Sequence, residues 1–402
     1  MTTERVPPAL ILKAAFAAAF VLILSSEVTR KIIKSHQSVR RELAIIDPKT
    51  EIVKQVEANA NFPDQSALLK LGQKPLFDQR IINWKNQLFQ RLDRIRENCG
   101  ELCTVNHQES LDKYTVQGAG QTFRQLRIPV QCKPIMIDEG IDATDPLIPY
   151  PPPQELIPFF TMNGLIKFEL YRKLENVYVG GQQAPESFSW TADTIKEYQQ
   201  NFDKSDAVPY LGYGEDTRVL MSKLRKYTNI KGKNVLVLGA DRVQGVARPW
   251  LESMCLHLGA AHVTTLDYVA IQNSHPQITT ITPTEFRHAY ANRKMGPFDV
   301  IVSFSTVEHY GLGRYGDALN PWGDILAVAR ARCVTKPGGI LVLAVPTHVS
   351  YQDFVEFNDR RVYGKIRLPI LTANWKQLDG DDHLQQEPNF QHQKAFVFVN
   401  AE

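Results

Sequence analysis

Residues 231–346 predict a doubly wound α/β domain on a mostly parallel sheet, and three observations carry that prediction. Short continuous apolar runs, such as Asn234-Val235-Leu236-Val237-Leu238, have the length and character of strands buried on both faces. These runs alternate with stretches of helical length, the pattern of parallel strands joined by crossover helices. The first strand ends in Gly239 and the second, His262-Val263-Thr264-Thr265-Leu266, ends in Asp267. A tight turn and a carboxylate therefore arrive together at the carboxyl ends of neighbouring strands, where such sheets bind ligands.

A chain of 402 residues exceeds what one core usually organises, so further elements are expected around that sheet. Its 43% hydrophobic and 22% charged residues exclude a largely disordered or collagen-like chain. Lys+Arg of 46 against Asp+Glu of 43 gives a formal +3, too near balance for charge to indicate a nucleic-acid partner.

Taken from the N-terminus, residues 1–30 read as a membrane anchor. The run ALILKAAFAAAFVLIL, residues 9–24, is apolar except for Lys13 and nears spanning length when carried to Val28. No small-x-small site closes it, since Ser25 and Ser26 lead directly to Glu27, so an uncleaved single-pass anchor is expected rather than a signal peptide. The side of the membrane stays open. Arg30, Lys31 and Lys34 favour a cytosolic domain, whereas the cluster Cys99, Cys103 and Cys132 suits a disulfide in an endomembrane lumen. With His107 nearby, those three match no paired metal-binding framework, and no metal is expected. Cys255 and Cys333 sit in apolar helical contexts and read as buried thiols.

Residues 31–128 read as a helical stalk and extension. Within it Phe77, Ile81, Ile82, Trp84, Leu88, Leu92 and Ile95 fall mostly on one helical stripe stopped by Gly100. Residues 129–230 read as a proline-rich linker, marked by Pro151-Pro152-Pro153, and a cap region packed on the domain that follows. In residues 231–350, Pro249 opens a helix with apolar Trp250, Leu251, Met254 and Leu256, closed by Gly259. Phe298-Asp299-Val300-Ile301-Val302-Ser303-Phe304 is the fourth strand, and Lys336-Pro337-Gly338-Gly339 is a turn feeding a strand that Pro346 stops. Residues 351–402 are expected to add strands that complete the domain.

Asp267 after a second strand, FDVIVSFSTVEH and TKPGGILVLAVP, in that order and spacing, resemble the class I S-adenosylmethionine-dependent methyltransferases, whose sheet is Rossmann-like. The run EHYGLGRYGDALNPWGD, with RPWLE upstream and FNDRRVYG downstream, more closely resembles an uncharacterised nematode family, a methyltransferase-like domain of unknown function. The resemblance implies S-adenosylmethionine as cofactor, with Gly239, Ala240, Asp241, Asp267 and Ser303 around it. Where such enzymes usually carry a second glycine this chain has Asp241, and residues 239–249 are longer than the usual turn.

Methyl transfer from a sulfonium is an in-line displacement; alignment supplies most of the acceleration, and a base is needed only when the acceptor carries a proton. Glu308 and His309, just after the fourth strand, are the candidate catalytic pair. His309 reads either as a base titrating near neutral pH or as a hydrogen-bonded former of its loop, and Glu308 as a ligand for a substrate hydroxyl or a helix cap. Beyond them, Tyr310, Arg314, Tyr315, Asp317, Trp322 and Asp324 are the candidate acceptor-binding residues. Arg314 suits an anionic group, whereas Asp317 and Asp324 suit sugar hydroxyls or helix capping, and Trp322 stacks a substrate or packs the core. Asn358, Arg361 and Tyr363 either close over the pocket or pack a late strand. The expected function is a membrane-anchored methyltransferase acting on a small-molecule or glycan-like acceptor. The alternative is a methyltransferase-like binding or scaffolding protein at the membrane, without catalysis. A dinucleotide-dependent oxidoreductase is disfavoured, because no G-x-G-x-x-G follows the first strand.

Overall fold

The computed structural model describes residues 74–117, 123–145, 151–170, 188–202, 204, 213–243, 246–348, 350–379 and 392–401. Of the residues before Trp84, only the opening of helix α1 (Lys74–Cys99) is among them.

Seven strands form the central sheet: β1 (Asn234–Leu238), β2 (His262–Leu266), β3 (Ile278–Ile281), β4 (Phe298–Phe304), β5 (Thr335–Thr347), β6 (Lys376–Asp379) and β7 (His392–Val399). Their spatial order is β6-β7-β5-β4-β1-β2-β3. Strands β1 to β5 pair in parallel, whereas β7 runs antiparallel to both β5 and β6. The chain thus builds outward from β1 through β2 and β3, then returns to β4 on the other side. That reversal leaves a crevice beyond the carboxyl ends of β1 and β4.

Alternation along the strands divides the core into two layers. Val235, Val237, Val263, Val300, Val302 and Ala344 face helices α3 (Ala192–Phe202), α4 (Glu215–Tyr227) and α5 (Trp250–His257). Leu236, Leu238, Ile301, Leu341 and Leu343 face the other layer, which holds α1, α2 (Cys132–Ile137), α6 (Pro283–Ala291), α7 (Gly323–Cys333) and α8 (Arg367–Leu371). The doubly wound, mostly parallel architecture expected from the sequence is present. On α1, Leu88, Leu92 and Ile95 of the expected stripe are buried.

Several expectations are corrected. The single-pass membrane placement is withdrawn: among the described residues no helix is long and apolar enough to cross a membrane, and the apolar run at 9–24 lies outside them. Residues 129–145 do not merely space two parts, because Ile135 and Met136 of α2 are fully buried and pack against α6 and α7. Cys333 is not a free thiol. It bridges Cys132 across 201 residues, while Cys99 bridges Cys103 and Cys255 stays free and buried. The turn at 336–339 is absorbed into β5 as an irregularity between Thr335 and Ile340, and Pro346 lies within that strand, opposite Gln393.

Candidate active site

Gly239 leaves β1 at φ +75°, and its N–H donates to Leu266 O at 2.8 Å. A Cβ here would lie 2.1 Å from Thr306 Cγ2, so glycine is required both for the turn and for the close approach of the β4 loop. The next amide, Ala240 N–H, donates to Asp267 Oδ2 at 2.8 Å, and Val269 N–H donates to Oδ1 at 2.8 Å. Asp267 is 4% exposed. The turn and the acid therefore meet.

Asp267 lines a cavity with Leu238, Tyr268, Phe286, Tyr310 and Arg330. At about 30 Å³ the cavity has room for roughly one water. Ile141 and Asp142 complete its wall. Their segment is fastened at several points: Asp142 pairs with Arg287 of α6 at 2.8 Å and with Arg330 of α7, Ala318 N–H donates to Ala143 O at 2.9 Å, and Asp145 N–H donates to Gly316 O at 3.0 Å.

The long turn after Gly239 is a hairpin of Asp241–Val243 against Val246–Arg248. Asp241 fastens it. Its Oδ2 accepts from Arg248 Nε at 2.7 Å and its Oδ1 from the Tyr213 hydroxyl at 2.7 Å, so this carboxylate is engaged by the chain itself. Ser303, expected at the cofactor, lies in register with Leu238 and Leu343, and its buried Oγ has no hydrogen-bond partner among the described residues.

Glu308 and His309 emerge from a single 3₁₀ turn (Val307–His309) after β4. Glu308 is fully buried; its Oε1 accepts from Ser305 Oγ at 3.0 Å and Gln393 Nε2 at 3.3 Å, and its Oε2 has no partner among the described residues. Burial pushes its carboxyl up to about 7. His309 Nδ1 lies 2.6 Å from Asp359 O, a contact that requires the proton on Nδ1 and leaves Nε2 as an acceptor 3.8 Å from Glu308 Oε1. Burial, then the charges of Arg314, Arg360 and Arg361, hold its pKa well below the ordinary range. The group poised near neutral pH is therefore Glu308, not His309.

The residues expected to bind an acceptor do not come together in one place. Tyr310 stays at the Asp267 cavity, edge-on to Tyr268 with centroids 5.4 Å apart. Tyr315 meets the His309 ring edge-on at 5.4 Å, and Arg314 is ion-paired with Asp359. Asp317 organises the loop instead of facing a ligand, accepting from the amides of Gly311, Gly313 and Tyr315. Asp324 neither caps α7 nor reaches the crevice. It sits at 0% exposure between Arg367, at 2.6 and 2.8 Å, Arg361 at 3.6 Å and the Tyr363 hydroxyl at 3.0 Å. Burial alone would raise its pKa, but the two guanidiniums outweigh it and hold the carboxyl below its usual value. Trp322, 7% exposed, packs edge-on to Phe159.

The sequence leaves Arg361 two readings, and further residues complete the site. Arg361 is fully buried and does not close over a pocket; its Nη1 donates to Tyr310 O at 2.5 Å and its Nη2 to Asn320 O at 3.4 Å, bracing the loop from behind. Ser305 and Gln393 complete the shell of Glu308. Glu252, on α5, is also fully buried: Thr265 Oγ1 donates to its Oε1 at 2.8 Å and its Oε2 has no partner among the described residues. A signal for it existed, since it is the single charged side chain in the mostly apolar run WLESMCL.

Sheet order, glycine turn and Asp267 together define a doubly wound α/β domain with an acid at the carboxyl end of its second strand. Residues 239–394 of it match the model of the family described as Caenorhabditis protein of unknown function, DUF268. No curated protein matches the chain. Among solved structures it is similar to the N-methyltransferase NodS from Bradyrhizobium japonicum WM9 in complex with S-adenosyl-L-homocysteine, at 15% identity over 52% of this chain and 99% of that one, with a TM-score of 0.30. It is also similar to fibrillarin from Aeropyrum pernix with natively bound S-adenosyl-L-methionine, at 15% identity over 46% and 74%, TM-score 0.29. A third is a putative hemolysin from Lactococcus lactis, at 13% identity over 46% and 87%, TM-score 0.29.

Proposed function

We propose that the domain is an S-adenosylmethionine-dependent methyltransferase acting on a small-molecule or glycan-like hydroxyl. The observation that carries this reading is the contact of Ala240 N–H with Asp267 at the end of β2, beside the positive-φ Gly239. An acid in that place suits a pair of ribose hydroxyls, and the orphaned Ser303 Oγ supplies a further polar group near Leu238. The donor chemistry fits a nucleoside cofactor, but the space beside Asp267 is water-sized. Binding thus requires residues 141–145 and the Tyr268 and Tyr310 rings to draw back.

Once bound, the cofactor supplies an electrophilic methyl carbon on a sulfonium. This chain's own residues align the acceptor and take its proton. Glu308 is suited to the second task, since a base poised near the working pH is the effective one. His309, fixed through Nδ1 to Asp359 O, orients the loop and presents Nε2 as an acceptor. A second reading, a methyltransferase-like binding protein without catalysis, is favoured by Asp241, whose two oxygens are taken by Arg248 and Tyr213.

Calorimetry and thermal unfolding with S-adenosylmethionine and S-adenosylhomocysteine test the proposal. A ligand at about 100 times its Kd stabilises by roughly 2.7 kcal/mol. The shift is expected in the wild type, larger in Asp142→Ala, where the cavity wall loses its ion pairs, and absent in Asp267→Ala. No heat and no thermal shift at millimolar concentrations, with Asp142→Ala as silent as the wild type, would remove the cofactor from the proposal altogether.

A further inference from the structure

A second cavity, of about 170 Å³, lies on the other side of α7. Gly323, Ala327 and Arg330 border the Asp267 cavity, and their spacing puts them on one helical face. Trp322 and Ile325 border the second cavity from the opposite face. Phe159 stands edge-on to Trp322 with centroids 5.7 Å apart, and Val105, Arg96 and Arg367 complete the enclosure. For scale, an apolar cavity of about 150 Å³ holds a benzene ring.

Arg367 gives this cavity its chemistry. It is 1% exposed, with Nε and Nη2 spent on Asp324 and on Pro321 O. Nη1 makes no hydrogen bond with the described residues and is the guanidinium nitrogen left for the cavity that Arg367 borders. Burial opposes its charge, but Asp324, Tyr363 and Asp353 outweigh that and hold the guanidinium ionised. Asp324 is shared with Arg361, and the nearby Asp353 directs its oxygens to the amides of Gly364, Ile366 and Arg367. The donor left over on Nη1 is where a further anion would be met by a charge-assisted hydrogen bond. Arg96, largely exposed, adds a second positive charge; its pair with Asp93 is a surface contact of little strength.

We propose that this cavity binds a small carboxylate carried on a flat aromatic body, the ring lying among Trp322, Phe159 and Ile325 and the carboxylate meeting Arg367 Nη1. The site is separate from the crevice at Asp267 and independent of any cofactor.

Benzoate and benzamide, titrated calorimetrically into the full chain, test it. Benzoate is expected to bind at one site and the neutral amide about tenfold more weakly or worse, the scale of a charge-assisted hydrogen bond. Arg96→Glu should weaken benzoate several-fold, Val105→Phe should exclude it by filling the cavity, and Asp267→Ala should leave it unchanged. Because Val105→Phe risks unfolding, the ¹⁹F resonance of 4-fluorobenzoate with the wild-type chain provides a second reading, broadening on binding and recovering when benzoate displaces it. Equal affinity for acid and amide, loss of binding in Asp267→Ala, or no binding of either compound, the cavity then holding only water, would each overturn the proposal.

Discussion

Glu252 is a carboxyl without exposure whose neutral form the fold favours, because burial pushes it up to about 8. A folded-state pKa raised above the unfolded one means that the native state holds the proton more tightly. The corresponding stability is complete below about pH 4.5 and is lost as pH rises towards 8, on the order of 5 kcal/mol across that span. Glu252→Gln removes the titration and keeps an oxygen for Thr265. Urea unfolding is expected to show the variant gaining on the wild type steadily between pH 5 and 8; parallel profiles would mean that Glu252 does not titrate as placed. Glu308 carries the analogous prediction for activity. As a base it must be ionised, so turnover should rise with pH through about 7 and level above it. Glu308→Gln should lose roughly 10²- to 10⁴-fold in kcat and flatten that limb, with KM little changed. A flat wild-type profile around neutrality would assign the proton to another group.

Turns and helices carry a different kind of constraint. Gly239→Ala forces a side chain into φ +75° and into Thr306, and a loss of about 2–4 kcal/mol is expected from strain and overlap together. Thr306→Ala in the same chain should restore the steric part and leave the backbone part, a coupling that a double-mutant cycle measures directly. Non-additivity near zero would mean that the two loops do not touch. These elements were unequally legible in the sequence. β1, β4 and most of β5 are uninterrupted apolar runs, α5 is bracketed by Pro249 and Gly259, and Asp267 stands where strand and turn chemistry put it. The hairpin inside the glycine turn was not legible, because its anchor depends on Tyr213, 28 residues before Asp241. Asp324 read as a cap because local spacing shows nothing of Arg361 and Arg367, 37 and 43 residues further on. His309 looked titratable for the same reason, since burial and three arginines brought near by folding decide its charge.

Across the whole molecule, one covalent link joins regions that periodicity treats as unrelated. Cys132–Cys333 ties the start of α2 to the end of α7 and closes a loop of 201 residues. Removing a native bridge of this kind usually costs roughly 2–4 kcal/mol through the unfolded state. Cys132→Ser should lower the midpoint of unfolding in non-reducing buffer and leave it level with the wild type under reductant. A gap that persists under reductant would trace the loss to packing of α2 instead.

β7 has a consequence for how the chain tolerates being cut short. It is made after β6 yet lies between β5 and β6, antiparallel to both. A premature stop after β6 and before 392 therefore does not trim a margin. It strips out an interior slat, strands β6 without a neighbour and bares the apolar rim of β5, the kind of ragged edge that invites chain-to-chain stacking and proteolytic clearance.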